Sequence, residues 1–88
     1  MTDESARIYE RITARRAEVL RELADGYTES QIADHLGITI NGVRSHVERL
    51  RTITGCEGVR ELGRWWRDNR EGWASSRRSA TANAVGPS

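Results

Sequence analysis

Apolar residues recur along most of this chain at intervals of three and four positions, and this spacing predicts an all-α fold. Between Tyr27 and Thr52, two such stripes are separated by Gly37. Their members are Ile32, Ala33 and Leu36 in the first stripe, and Val43, Val47 and Leu50 in the second. A glycine just after a helix can adopt the left-handed conformation that other residues resist. The pattern therefore predicts two short helices joined by a tight turn, the helix-turn-helix arrangement.

Residues with capping chemistry mark the beginnings of the predicted helices. Thr28, followed at the third position by Gln31, predicts a capping box for the first helix of this unit, and Thr39 can cap the second. Upstream, residues 6–24 have helical spacing, and Thr13 can cap a new helix within them. The sequence allows either a break near Thr13 or one longer helix.

Residues 38–44 also fit a different structure. They alternate apolar and polar around Asn41-Gly42, which is the pattern of a β-hairpin. A helix has to accommodate Gly42 in its first turn, at a cost of up to about 1 kcal/mol relative to alanine. We favour the helix, because the second apolar stripe keeps helical spacing beyond the glycine.

The last predicted helix runs from Val59 to about Asn69 or slightly beyond. One side of it contains Leu62, Trp65, Trp66, Asn69 and Trp73. These residues either close the core or form a subunit interface, since an exposed aromatic patch is typical of a binding surface. Residues 74–88 are small and aperiodic and predict a disordered tail, in which Arg77 and Arg78 are free to touch phosphates.

Length and composition limit the classes of protein that this chain can be. From its 88 residues we expect one small domain without a separate catalytic or sensory domain. No apolar run resembles a membrane span or a signal peptide, and a single cysteine, Cys56, is typical of a reducing cytoplasm. We expect a cytoplasmic protein with a partly helical extension over 1–12, a domain over 13–73 and the tail over 74–88.

Neither an enzyme nor a metal-binding protein is expected. Two histidines and one cysteine, none at metal-ligand spacing from a second ligand, do not predict a zinc site, and no cofactor is predicted. Glu18 and Glu22 share a helix face, but so short a chain does not form the pocket that an acid/base pair needs. His46 adjoins Val47 and is expected to be packed and hydrogen-bonded rather than a ligand.

The charges indicate that any basic surface is local. The net charge is only +1, although all 14 basic residues are arginine, the side chain best shaped for phosphates and guanine edges. If the second apolar stripe faces inward, a polar set on the same helix faces outward. That set consists of Asn41, Arg44, Ser45, Glu48 and Thr52, with Arg49 and Arg51 on its flanks. It is either a solvated helix face or a surface that reads DNA bases.

Four members of this polar set suit a base edge in a DNA major groove. Arg44 can bind guanine through its fork of donors, Asn41 can pair with adenine or a phosphate, and Glu48 can accept a hydrogen bond from the cytosine amino group. Ser45 is adaptable. Better placed for the DNA backbone are Thr28, Thr39, Arg49 and Arg51.

Residues 13 to about 62 resemble the LuxR/GerE-type DNA-binding domain of bacterial transcription regulators. Residues 12–20, ITARRAEVL, stand in place of that family's Leu-Thr-x-Arg-Glu-x-Glu-Val-Leu run, and residues 24–26 match its Ala-x-Gly. Residues 32–37, IADHLG, match Ile-Ala-x-x-Leu-Gly, and residues 42–47, GVRSHV, stand against Thr-Val-Lys-x-His-Val.

The resemblance implies a four-helix domain that binds double-stranded DNA as a homodimer, with a recognition helix over about 40–53 in the major groove. It also implies a dimer contact through the last helix, at Leu62, Trp65, Trp66 and Asn69. Arg16 departs from the pattern by replacing a common glutamate, which alters an internal polar contact. Glu29 places a carboxylate at a helix start, where it should repel phosphate although backbone N–H groups remain there.

Two functions are compatible with these residues. The first is DNA binding, either by a standalone sequence-specific transcription regulator or, as an alternative, by a domain that resembles region four of sigma factors, whose skeleton is similar. The alternative is a protein-interaction module that has lost DNA affinity through Glu29, Gly42 and Glu48. Such a module would bind RNA polymerase, a sigma factor or another regulator through its tryptophan-bearing last helix.

Overall fold

The computed structural model of this protein describes residues 3–85, with side chains described for residues 5–78. The described residues form five α-helices and no strand. The helices are α1 (Asp3–Glu10), α2 (Ala14–Ala24), α3 (Glu29–Leu36), α4 (Ile40–Thr54) and α5 (Val59–Val85). The predicted all-α class is confirmed. A four-helix domain formed by α2 to α5 follows the short helix α1, and the hairpin alternative for residues 38–44 is excluded.

Caps and glycines set the limits of the helices. Thr13 separates α1 from α2, because its hydroxyl accepts a hydrogen bond from the backbone N–H of Arg16 at 3.2 Å. Thr28 and Gln31 form the complete capping box of α3. Gly37 ends α3 in the left-handed conformation, with φ of 67°. The chain therefore reverses sharply there, and α4 packs directly on α3.

The core combines side chains from all four helices of the domain and from the segment before α2. Its fully buried members are Ile12, Val19, Leu20, Ile32, Val43, Leu50 and Leu62. Because burying one such aliphatic side chain contributes roughly 1.5–3 kcal/mol, this cluster is the main source of stability. The long helix α5 packs mainly on α2, and α3 packs mainly on α4. One core thus holds the two-helix unit against a support of α2 and α5.

The crossing of α2 and α5 is close because a glycine lies at the contact. A Cβ atom added at Gly63 would lie 3.2 Å from the Cα atom of Ala24 and 3.4 Å from the carbonyl oxygen of Leu23. Four residues further along α5, the guanidinium of Arg67 donates a hydrogen bond to the carbonyl oxygen of Ala24. A cation at the carboxyl end of a helix is favourable, so Arg67 also stabilises the end of α2.

The tryptophans of α5 hold α1 and the segment after it. The hydroxyl of Tyr9 donates to Asn69 Oδ1 at 2.8 Å, and its ring meets the ring of Trp65 edge-on with centroids 6.3 Å apart. The indole Nε1 of Trp73 donates to the carbonyl oxygen of Ile12 at 2.9 Å. These contacts join the beginning of the chain to its last helix.

Helix α5 is longer than the sequence predicts. Instead of ending near Asn69 or slightly beyond it, the helix continues to Val85, through most of the stretch 74–88 predicted to be disordered. Alanine and arginine are strong helix formers, and the stretch contains no glycine or proline before Gly86, so extending a helix that already exists needs no new nucleation. The last part of the predicted tail, residues 86–88, lies outside the described residues.

Arg77, predicted to be free to touch phosphates, contacts an aromatic ring of its own helix. Its guanidinium lies over the ring of Trp73, 5.1 Å from the centroid.

Helix α5 has 27 residues, but neither it nor any other helix in the described part of the chain combines the length and apolarity needed to cross a bilayer.

We predict that Gly63→Val destabilises the protein by about 1–3 kcal/mol, because the added branches meet the backbone of α2. Chemical denaturation followed by circular dichroism measures this change. Asp68→Val, on an exposed part of the same helix, introduces the same side chain away from the crossing and should change stability by no more than about 0.5 kcal/mol. Equal effects of the two substitutions would contradict the close contact.

Candidate nucleic-acid interface

The beginning of α4 is fixed by its capping threonine. The hydroxyl of Thr39 accepts a hydrogen bond from the backbone N–H of Gly42 at 2.9 Å. A Cβ atom at Gly42 would lie 3.3 Å from this hydroxyl oxygen, so the glycine leaves room for the cap. The predicted cap is confirmed, and the glycine that suggested a hairpin lies in the first turn of a helix.

Burial of one face determines which side chains of α4 are outside. Val43 and Leu50 are 0% exposed, and Val47 is 5% exposed. On the other side, six residues line one open concavity: Asn41, Arg44, Ser45, Glu48, Arg49 and Thr52. All four residues predicted to contact bases lie in this concavity and are exposed. We call these six residues the outer face of α4.

The residues predicted to contact the DNA backbone differ in whether their polar groups already have a partner within the chain. The hydroxyl oxygens of Thr28 and Thr39 accept from the backbone N–H groups of their helices, which leaves each O–H free to donate to a phosphate. Arg49 is exposed and forms no ion pair with a residue that the structure describes. Arg51 is half-buried, and its Nη1 donates to Glu48 Oε2 at 2.8 Å. Arg49 is therefore more available than Arg51.

Two carboxylates pair with arginines at this surface. Arg44 Nε donates to Glu29 Oε1 at 3.1 Å, across the turn between α3 and α4. The second pair, Glu48 with Arg51, lies within α4. Exposed ion pairs contribute only about 0–1 kcal/mol to stability, so their effect here is mainly on the charge of the surface. The outer face is thus only mildly basic.

One exposed side chain at the start of α4 was missed by the sequence analysis, whereas the outward position of Thr52 was predicted. Ile40 is 40% exposed at the first position of α4, where a methyl-bearing side chain can contact the C5-methyl of thymine. It precedes Val43 by three positions, so helical spacing alone would place it inward. Thr52 lines the concavity, and its hydroxyl donates to the carbonyl oxygen of Glu48 at 3.2 Å. Its outward position follows from the same apolar stripe.

The residues predicted for a dimer contact lie largely in the core or contact other residues of the same chain. Leu62 is 0% exposed and Trp66 is 7% exposed, so both are core residues. In this conformation α2 and the rest of the core cover most of these two side chains, and an interface that includes them stays a prediction. Trp65 and Asn69 are half-buried and contact Tyr9 of α1.

His46 lies on the flank of α4 and is half-buried. Burial lowers the pKa of its imidazole, and the positive charges of Arg16 and Arg15 lower that pKa further. Arg16 is the residue that stands where the LuxR-type pattern has glutamate. Its guanidinium Nη1 donates to the carbonyl oxygen of Arg11 at 2.8 Å.

Metal binding has no support in this region or elsewhere in the described part of the chain. Among the described residues, histidine, cysteine, aspartate and glutamate side chains form no group of three that could hold an ion. His35 pairs with Glu22 of α2, and its ring meets that of Tyr27 edge-on, with centroids 4.7 Å apart.

A short capped helix, a left-handed glycine turn and a second capped helix with a polar outer face define a DNA-binding helix-turn-helix domain. The family model of bacterial regulatory proteins of the luxR family matches residues 10–63. This match covers more than half of the chain, and the protein therefore belongs to the luxR family. Comparison with curated proteins and with solved structures gave no match.

We predict that His46 titrates below the ordinary histidine pKa of about 6.5, because burial and neighbouring arginines disfavour its charged form. As the pH falls, the imidazole of His46 is protonated in the unfolded chain before it is protonated in the folded chain. The contribution of His46 to stability therefore decreases as the pH falls through the pKa of the unfolded chain. An NMR titration of the imidazole carbon-bound protons measures the midpoint.

Arg16→Gln should raise the pKa of His46 toward its ordinary value, because it removes one nearby positive charge. Arg21→Gln removes an equal charge from an exposed position of the same helix and serves as the control. A midpoint unmoved by Arg16→Gln would contradict the electrostatic coupling between α2 and α4.

Proposed function

We propose that this protein is a sequence-specific DNA-binding transcription regulator of the cytoplasm, and that α4 is its recognition helix in the major groove. The observation that supports this most directly is the outer face of α4. Its hydrogen-bonding side chains are exposed on one side of a helix that is otherwise held in the core. An α-helix fits the major groove, where base edges present distinct donor and acceptor patterns.

Base reading is assigned to the exposed polar residues of the first three turns of α4. Arg44 binds guanine O6 and N7, Asn41 pairs with adenine, and Glu48 accepts from a cytosine amino group. Ser45 adapts to either kind of partner. Ile40 adds an apolar contact with thymine at the beginning of the helix.

Backbone contacts surround this reading surface. The hydroxyls of Thr28 and Thr39 lie at the amino ends of α3 and α4. The helix dipole favours a phosphate at the beginning of α4, whereas at the beginning of α3 the charge of Glu29 opposes it. Arg49 supplies the charge that is free of carboxylate partners among the described residues. Arg51 contributes less, since it is half-buried and paired with Glu48.

The regulator is proposed to bind a two-fold symmetric site as a homodimer. An open concavity on α5 is lined by Trp66, Arg70, Glu71, Trp73 and Ala74. Its arginine and glutamate can pair with the glutamate and arginine of a second copy related by two-fold symmetry, while the indole edges supply apolar area. This surface shares Trp66 with the interface predicted from the sequence and lies further along α5.

A second candidate function is a protein-interaction module for RNA polymerase, a sigma factor or another regulator. The observation that favours it is the pairing of Glu29 with Arg44 and of Glu48 with Arg51, which reduces the charge available to phosphates. A salt titration on duplex DNA separates the two functions, because phosphate contacts give an affinity that falls steeply with salt. Absence of binding even at low salt would favour the interaction module.

We predict different losses for two arginines of α4 on a site obtained by selection from random oligonucleotides. Arg44→Ala should cost about 1–3 kcal/mol on that site and little on random duplex, because it removes a base contact. Arg49→Ala should weaken binding to both by a similar factor and reduce the salt dependence, because it removes a phosphate contact. Equal losses for Arg44→Ala on both duplexes would contradict its base-reading role.

We predict that Ala74→Arg converts the dimer into a monomer, because it places a charge in the aromatic concavity of α5. Sedimentation equilibrium measures the mass of the free protein and of its DNA complex. Ser75→Arg adds the same charge at an exposed neighbouring position outside the concavity and should leave the dimer intact. A wild-type protein that binds its selected site as a single copy would contradict the dimer.

A further inference from the structure

Glu29 and Arg44 connect the two helices of the helix-turn-helix on the side that faces DNA in the proposed function. Glu29 is the first residue of α3, and Arg44 lies 15 residues further along, in the second turn of α4. Their contact is a hydrogen bond from Arg44 Nε to Glu29 Oε1 at 3.1 Å. Among the described residues, it is the one ion pair that joins α3 to the outer face of α4.

The atoms used in this contact leave the rest of the guanidinium free. A guanidinium has five N–H donors, and the carboxylate of Glu29 occupies the Nε donor. The two terminal nitrogens, Nη1 and Nη2, still form the fork that fits guanine O6 and N7. A carboxylate at Nε also restricts rotation of the guanidinium, so the fork loses less freedom when it binds a base.

The same carboxylate disfavours the binding of a DNA phosphate. Glu29 stands at the amino end of α3, where free backbone N–H groups and the helix dipole otherwise attract an anion. Its negative charge repels a phosphate there and neutralises part of the charge of Arg44. DNA of any sequence is therefore bound less tightly than it would be without this carboxylate. A site with guanine opposite Arg44 still forms hydrogen bonds with the oriented guanidinium.

We propose that Glu29 is a specificity-determining residue, which positions Arg44 for guanine and disfavours binding to DNA backbone alone. This inference rests on the proposed function, because it assumes that α4 reads a DNA site. A carboxylate at this position, which the sequence alone marks as unfavourable for DNA binding, thus increases discrimination between sites. As an exposed ion pair, it adds little to folding stability.

The test compares the wild type with Glu29→Gln on three duplexes. These are the selected site, the same site with the guanine opposite Arg44 replaced, and a random duplex of equal length. We expect Glu29→Gln to bind the random duplex about tenfold more tightly, and to lose about tenfold in the preference for the selected site over the guanine-replaced one. Thermal unfolding should be nearly unchanged, which separates this effect from a loss of structure.

Two further variants make the result specific. Glu10→Gln removes the same charge from an exposed position of α1 and should leave the preference between duplexes unchanged. In an Arg44→Ala background, Glu29→Gln should no longer change that preference, because the residue that it positions is missing.

The preference between duplexes in the two backgrounds decides the role of Glu29. A preference that falls in the wild-type background and stays constant in the Arg44→Ala background supports it. An equal change on all three duplexes, or no change on any of them, overturns the role of Glu29 while leaving DNA binding intact. If the wild type binds no duplex, the proposed function itself is contradicted.

Discussion

Val43, Val47 and Leu50 are removed from solvent against α2 and α3, and this burial fixes the rotation of α4 about its own axis. A rotation by one residue, about 100°, would bury part of the polar outer face and expose a valine. The cost of such a change is several kcal/mol, because it exposes aliphatic surface and buries an arginine or a carboxylate. The direction in which Arg44 and Ser45 point is therefore a consequence of core packing.

Local turn chemistry places this helix relative to its partner. Gly37 in the left-handed conformation ends α3, and the hydroxyls of Thr28 and Thr39 begin α3 and α4. The same two hydroxyls keep a free O–H at the helix ends where a phosphate would approach. Folding and the proposed function thus use the same atoms. A chain with a net charge of only +1 depends on such local features, since its overall field is weak.

Sequence periodicity and capping were sufficient to predict the class of fold, the caps at Thr28 and Thr39 and the exposed side of α4. These features depend on residues within one or two helical turns of each other. The pairing of Glu29 with Arg44 depends on two helices brought together by the turn, so spacing along the chain does not reveal it. The burial of Leu62 and Trp66 could not be separated from an interface, because an apolar helix face fits a core and a partner equally well. The length of α5 was underestimated because a composition of small residues suits both a disordered tail and a helix that continues one already formed.

DNA binding through the outer face of α4 is tested most directly by an NMR titration of the ¹⁵N-labelled protein with a duplex obtained by selection. If α4 reads DNA, the largest shifts of backbone amides should fall between Thr39 and Thr52, with a second group at the beginning of α3. Amides of α1 and of the α5 face that packs on α2 should change little. Shifts concentrated on α5, with α4 unaffected, would contradict the claim that the outer face of α4 is the surface that binds DNA.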